Sequence, residues 1–220
     1  MKKVLYFLMF WMLSGQLVKA QFHDENYPVP EPVLLEAMAG NRWGMFQSII
    51  AKKFSPNSKF NFFNLTNYEV DYKKENPSIY IVQAIAYYEP VKGFNMGLGA
   101  NLKTFNGFKP LLALSYLYNT QNISLIVQPS IELHKDGVGE LFALFEYRGT
   151  KNRKFEPYFS IQSATSYLEK NGNHDFTYIN SRLGLQYKNF RFGPAVNMRI
   201  MGKEGIYQGN YGAFVGVLIY

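Results

Sequence analysis

Long stretches of apolar–polar alternation constrain the fold of this chain more than any other feature of its sequence. From Trp43 onward, runs of about ten to fourteen residues alternate with a period of two and are separated by turn residues. This period is typical of β-strands, but strands of soluble proteins average only about five to six residues. A tilted strand that crosses a bilayer needs about nine to eleven. The pattern therefore predicts strands that span a membrane.

The two faces of these predicted strands differ in chemistry. In residues 94–103, bulky apolar side chains alternate with Asn, Gly and Lys, and residues 122–133 and 190–201 repeat the pattern. In a membrane barrel, the bulky apolar face contacts lipid and the other face lines the interior. Because no apolar run after residue 21 reaches the about 20 residues of a spanning helix, a membrane-embedded form of this chain has to be a barrel.

Turn residues separate eleven candidate strands, at residues 43–54, 59–70, 79–89, 93–104, 110–119, 122–133, 139–148, 155–167, 175–188, 190–201 and 209–220. Single-chain bacterial barrels have an even number of strands. Long and short connections alternate back from Tyr220, which calls for an additional short strand near residues 33–39. We therefore predict an all-β, membrane-spanning, antiparallel up-and-down β-barrel of about 12 strands. The alternative is 10 strands, if residues 43–54 lie outside the wall.

The first 20 residues are predicted to be a signal peptide. Lys2 and Lys3 precede an apolar run at residues 4–13, and cleavage is expected after Ala20. This run is about half as long as a spanning helix, which argues against a membrane anchor. Residues 21–40, which contain Pro28, Pro30 and Pro32, are predicted to be an extended linker that includes the short first strand. The barrel is expected to occupy residues 41–220.

The amino-acid composition excludes several classes of protein for this chain. The chain has no cysteine, which excludes disulfide scaffolds, thiol catalysis and lipoprotein attachment. Its 17% aromatic content, with only 18% charged residues, excludes disorder. The net charge of +7 falls once the three lysines of the predicted signal peptide are removed, leaving 20 basic and 16 acidic side chains. We therefore expect no nucleic-acid partner.

The chain ends in Val217-Leu218-Ile219-Tyr220, after a series of strands rich in Tyr and Phe. With the cleavable leader, these features resemble small outer-membrane β-barrel proteins of Gram-negative bacteria, over about residues 41–220. Leu218 and Tyr220 are similar to the terminal signal of that family, although Val215 stands where the family usually has glycine. The resemblance implies an outer-membrane location, contact with outer-membrane lipid and recognition by the barrel-assembly machinery. It implies no activity.

Histidine is scarce, which limits catalysis. Outer-membrane phospholipases resemble one another in a histidine two residues before a nucleophilic serine. The residues two after His23, His134 and His174 are Glu25, Asp136 and Phe176. We therefore expect no catalytic residues, no cofactor and no enzyme. Glu132, His134 and Glu140 could ligate a divalent cation, but we favour a solvated barrel rim over a metal site.

Charged residues on the predicted inner faces form two neighbouring sectors. The acidic sector contains Glu132, Glu140, Glu146 and Glu156, and the basic sector contains Arg182, Lys188, Arg191 and Arg199. In an open pore, such sectors create a transverse field; in a narrow barrel, they close into a plug of ion pairs. With ten to twelve strands the interior lies between filled and open, so both alternatives stand.

The predicted function is a narrow passive channel, with a small polar solute as the candidate permeant, or a structural or adhesive component of the envelope. The alternative is a soluble periplasmic or secreted β-barrel that binds an apolar ligand. Gly and Asn on the polar faces favour the membrane barrel because they suit an interior better than a solvated exterior. The sequence leaves the oligomeric state open.

Overall fold

The computed structural model describes residues 32–55, 57–73, 78–104, 106–149 and 154–220. The predicted signal peptide lies outside the described residues, as does most of the predicted linker. Within these ranges, no helix is long and apolar enough to cross a membrane.

Twelve antiparallel strands form one closed up-and-down barrel. They are β1 Val33–Gly40, β2 Trp43–Lys53, β3 Phe60–Asp71, β4 Ile79–Val91, β5 Phe94–Lys103, β6 Gly107–Asn119, β7 Ile123–Glu132, β8 Val138–Arg148, β9 Glu156–Leu168, β10 His174–Tyr187, β11 Phe190–Met201 and β12 Ile206–Ile219. Each strand pairs with its neighbours in sequence, and β1 pairs with β12. The prediction of a 12-strand barrel is confirmed, and the 10-strand alternative is wrong.

The short first strand closes the barrel. β1 pairs with β12 along its whole length, from Val33 opposite Ile219 to Gly40 opposite Gly212. The backbones approach so closely that a Cβ added at Gly212 would lie 1.9 Å from the carbonyl oxygen of Ala39. The barrel thus begins at Val33, inside the segment 21–40 that the sequence assigned mainly to a linker.

Side chains alternate between a buried inner face and an exposed outer face. On the inner face, Gln128 and Asn210 are 0% exposed. On the outer face, Leu98 is 63% exposed and Phe108 is 71% exposed. Because this exterior is apolar along β5 and β6, its large side chains need lipid around them. The alternative of a soluble barrel with an apolar cavity does not fit this distribution.

The two ends of the barrel differ in their connections. We call the end that holds Val33 and Ile219 the terminus end; it carries the connections at 54–59, 92–93, 120–122, 149–155 and 188–189. The opposite end carries those at 41–42, 72–78, 104–106, 133–137, 169–173 and 202–205. Short turns are typical of the periplasmic side, and three of the five connections at the terminus end have two or three residues. We therefore expect the terminus end to face the periplasm.

Arginine substitutions on the outer face test which residues lie at the centre of the bilayer and which lie near its surface. Leu98 lies at the centre of β5, and Phe108 lies near one end of β6. Relative to alanine at the same position, Leu98→Arg should lower the free energy of unfolding by about 2–4 kcal/mol, and Phe108→Arg by about 0–1 kcal/mol. Denaturant titration in phospholipid vesicles measures both. Equal losses at the two positions would contradict the assigned membrane depth.

Candidate functional site

The lumen has two sides, which we call the apolar half and the polar half after their main side-chain clusters. The apolar half also carries hydrogen-bonded amides, and the polar half also holds a second apolar cluster, formed by Met38, Met45, Tyr158, Ala195 and Phe214. Phe63, Ile85, Leu111 and Phe142 belong to the apolar half, where they form one buried cluster. The rings of Phe63 on β3 and Phe142 on β8 are 5.8 Å apart. These strands are not neighbours in the wall, so the contact crosses the lumen. The apolar half is therefore closed by side-chain packing.

Three arginine–glutamate pairs run along the polar half. We call them the arginine ladder: Arg191 with Glu146, Arg182 with Glu36, and Arg199 with Glu69. Arg191 is the second residue of β11 at the terminus end, Arg182 lies in β10, and Arg199 lies near the other end of β11. The ladder thus extends from one end of the barrel to the other.

The Arg191–Glu146 pair has the most complete geometry. Arg191 donates from Nη1 and Nη2 to the two carboxylate oxygens of Glu146, at 3.0 and 2.8 Å. Its Nε donates to Oε1 of Gln186 at 3.0 Å, and its guanidinium lies 4.3 Å from the ring centroid of Tyr158. Arg191 is 1% exposed. A bidentate, stacked guanidinium of this kind has a fixed orientation.

The other two pairs are anchored by different partners. Arg182 donates from Nε to Glu36 at 2.8 Å and from Nη1 to Oδ1 of Asn197 at 2.7 Å. The guanidinium of Arg199 pairs with Glu69 and lies 3.8 Å from the ring of Trp43. Each arginine therefore joins strands on different sides of the barrel, because Glu36 and Glu69 lie on β1 and β3.

A separate lysine cluster lies near the opposite end. Nζ of Lys103 is 2.9 Å from Glu140 and 3.2 Å from Glu132. Lys109 is 3.6 Å from Glu132 and donates to the backbone oxygen of Asp136 at 2.7 Å. Both carboxylates are thereby neutralised by lysines of β5 and β6. Among the described residues, no group of three His, Cys, Asp or Glu side chains could hold a metal ion.

Most residues of the predicted acidic sector do not form ion pairs with residues of the predicted basic sector. Glu146 and Arg191 are the one pair that joins the two predicted sectors. Arg182 and Arg199 pair with Glu36 and Glu69, which were not singled out from the sequence, and Glu132 and Glu140 pair with lysines. The transverse field expected of an open pore is thus neutralised pair by pair.

Two predicted lumen charges lie at the rim. Lys188 is exposed in the turn between β10 and β11, with a backbone φ of 53° and its Nζ 5.4 Å from the ring of Tyr187. The assignment of Lys188 to the lumen is therefore corrected, because the chain has already left the strand. Glu156 begins β9 and takes part in no ion pair of the described residues. The structure does not bring these two residues together.

Of the predicted assembly residues, Leu218 lies in β12 and Tyr220 lies directly after the end of that strand. Leu218 is buried, and its backbone N–H donates to the oxygen of Asn189 at 2.8 Å. Tyr220 is exposed at the terminus end.

Two small cavities interrupt the packed interior. One, of about 30 Å³, lies towards the terminus end beside Tyr87, Asn95 and Gln128. The other, of about 10 Å³, lies beside the ladder, and Glu36, Gln47 and Asn180 are among the residues that line it. A single water needs about 10–15 Å³. These two cavities of the described part of the chain thus have room for isolated waters.

The fold resembles solved outer-membrane barrels. No family model and no curated protein matches the chain. Among solved structures, the NanC porin is 11% identical, with a TM-score of 0.51 over 87% of this chain and 100% of that one. The KdgM porin is 13% identical, with a TM-score of 0.48 over 86% and 99% of the two chains. LpxR from Salmonella typhimurium is 7% identical, with a TM-score of 0.44 over 86% and 100%.

The likeness to the first of these structures shows that the chain has the fold of an outer-membrane β-barrel. The fold and the apolar exterior together place the chain in the outer membrane. The sequence identity is too low for an activity to follow from the fold.

The arginine ladder leads to a prediction about the free energy of unfolding. Arg182→Met leaves the carboxylate of Glu36 buried without its partner, and should cost about 3–5 kcal/mol in the free energy of unfolding. Adding Glu36→Leu to Arg182→Met should restore most of that loss, because the unpaired charge is removed. The exposed Lys188→Met is the control and should change little. Denaturant titration in vesicles measures all four proteins, and a double variant no more stable than Arg182→Met would contradict the pairing.

Proposed function

We propose that this outer-membrane barrel is a narrow channel for small ions or a small polar solute, and that the present conformation is its closed state. The observation that carries the proposal is the arginine ladder, which places buried ion pairs at three levels of the lumen between its two ends. A path for charged or hydrated species needs such a lining, whereas a purely apolar filling would offer none.

Unpartnered polar atoms along the ladder support a hydrated path. Nε1 of Trp43, Nε2 of Gln47 and Nδ2 of Asn180 are buried without a hydrogen-bond partner among the described residues. A buried donor without a partner costs about 1–3 kcal/mol, which a bound water removes. Gln47 and Asn180 both line the smaller cavity, next to Glu36 and Arg182. We infer that waters occupy this part of the lumen.

Opening requires the arginine ladder to rearrange. Glu36, Glu146 and Arg182 all border the smaller cavity, so movement of two arginine–glutamate pairs would enlarge the same space. On the other side of the lumen, the contact between Phe63 and Phe142 closes the space between β3 and β8. The proposed path therefore lies between β1–β3 and β8–β11.

A structural role in the envelope is the second candidate. The complete burial of Gln128 and Asn210, together with the contact between Phe63 and Phe142, favours a permanently filled barrel. Such a barrel would be stable and would conduct no ions. The two candidates differ in whether removal of the ladder produces a conducting pore or only a weaker barrel.

Planar-bilayer recording separates them. In a variant with Glu36→Ser, Arg182→Ser, Glu146→Ser and Arg191→Ser, the space beside the smaller cavity should open, and stepwise conductance should appear. Wild type should be silent or open rarely. The matched control is Leu111→Ala with Phe142→Ala, which removes volume from the buried apolar cluster at two residues that line neither cavity and should remain silent. A folded ladder variant that never conducts would favour the structural role.

We also propose that Leu218 and Tyr220 form the signal for the barrel-assembly machinery. Removal of residues 218–220 should leave the protein soluble or degraded in the periplasm, which fractionation and heat-modifiable gel migration detect. Tyr220→Phe keeps an aromatic terminus and should insert normally. Normal insertion of the truncated chain would contradict this role.

A further inference from the structure

Three aromatic pairs lie on the outer wall at the terminus end. The ring centroids of Phe60 and Tyr88 are 5.4 Å apart, and those of Phe94 and Tyr116 are 4.9 Å apart. The third pair, Phe155 and Tyr187, has a separation of 5.3 Å. Aromatic rings on the exterior of a barrel lie at the level of the lipid headgroups. The three pairs therefore mark the membrane boundary at this end.

Exposed lysines accompany each aromatic pair. Lys59 directly precedes Phe60, and Lys92 lies in the turn two residues before Phe94. The third pair has a lysine on each side: Nζ of Lys154 is 5.9 Å from the ring centroid of Phe155, and Nζ of Lys188 is 5.4 Å from that of Tyr187. Cation–π contact holds an ammonium group against a ring. Lys154 and Lys188 are thus held beside the outer wall, next to the lipid.

The two ends of the barrel differ in their exposed charge. At the terminus end, the described connections carry four exposed lysines, Lys59, Lys92, Lys154 and Lys188, and no exposed acidic side chain. At the opposite end, the exposed basic residues alternate with acids: the described connections carry Arg42, Lys73, Lys135, Lys170 and Lys203 together with Asp136, Glu169 and Glu204. The described connections therefore carry an excess of four exposed basic side chains at the terminus end and of two at the opposite end.

We propose that the terminus end binds anionic glycerophospholipids, and that the lysine–aromatic pairs are the headgroup sites. The aromatic rings contact the upper acyl chains, and the ammonium groups reach the phosphate beside them. The site at Phe155 and Tyr187 is the strongest because two lysines face one headgroup there. The preference for lipids with a net negative charge follows from the larger excess of exposed basic side chains in the described connections at this end.

Lipid is the occupant that the geometry favours over an acidic soluble protein. The rings that hold Lys154 and Lys188 belong to the lipid-facing wall, so their ammonium groups lie at the membrane boundary. A soluble partner would need lysines directed away from that boundary. This inference does not depend on whether the lumen conducts.

The test measures lipid association directly. The full chain, folded in phosphatidylcholine vesicles, is probed by electron paramagnetic resonance with spin-labelled phosphatidylglycerol and spin-labelled phosphatidylcholine. The ratio of their association constants reports selectivity at the protein surface. Wild type should prefer phosphatidylglycerol about five-fold for each lysine that contacts a headgroup. In 1 M salt the preference should disappear, because the Debye length falls to about 3 Å.

Matched lysine variants show which end of the barrel is responsible for the preference for phosphatidylglycerol. Lys59→Gln, Lys92→Gln, Lys154→Gln and Lys188→Gln together should bring the ratio close to one. The control carries Lys73→Gln, Lys135→Gln, Lys170→Gln and Lys203→Gln at the opposite end and should keep the wild-type ratio. Lys154→Arg with Lys188→Arg should also keep it. Heat-modifiable migration verifies folding of each variant.

Two results would overturn the proposal. One is a wild-type ratio near one at low salt. The other is an equal fall of the ratio in the terminus-end variant and the opposite-end control, which would show that charge anywhere on the barrel suffices. Either result would leave an acidic soluble partner as the occupant of the exposed lysines.

Discussion

Backbone hydrogen bonding in hydrocarbon is the constraint on which the whole structure depends. An unpaired N–H or C=O group in the bilayer costs several kcal/mol, so a sheet that spans it has to close. Here closure depends on the eight residues of β1, which pair with β2 on one side and β12 on the other. Gly212 lets the two backbones approach at this seam, and Gly40 leaves room for the side chain of Asn210. Asn210 ties the seam by bonding to the backbone of Arg42 and Trp43. Without β1, the edges of β2 and β12 would be exposed to lipid.

Closure at twelve strands determines what the interior can hold. Side chains from opposite walls are close enough to meet, as Phe63 and Phe142 do, so side chains of the wall itself fill the lumen. The same narrowness forces the charges of the inner face into pairs. In a wide pore they would be solvated, whereas here Arg191 and Glu146 satisfy each other. The narrow diameter of the barrel thus explains both the filled lumen and the paired charges of its inner face.

The sequence predicts the wall of this barrel much better than its interior. Strand positions follow from local alternation, which is why residues 94–103, 122–133 and 190–201 were assigned to the correct faces. β1 was harder to recognise, because its eight residues carry Glu36 on the inner face and follow a proline-rich segment. The partners of Arg182 and Arg199 could not be predicted, since contact across a lumen depends on strand tilt and closure. Lys188 was misplaced for a local reason: alternation continues in the sequence up to a turn in which the backbone already has a positive φ.

The chemistry of the polar half argues for a role beyond the stability of the barrel. Replacing a buried ion pair by apolar side chains of similar volume is often neutral or stabilising, and the apolar half shows that this barrel accommodates such packing. A barrel selected only to be stable could fill both halves in that way. Instead, three arginine–glutamate pairs extend between the ends, and Trp43, Gln47 and Asn180 beside them have buried polar atoms without partners. Water that enters beside an ion pair can replace the hydrogen bonds that the pair loses, whereas water makes no equivalent bonds to two separated aromatic rings. The polar half is therefore the part of the lumen that can change conformation while the wall stays closed.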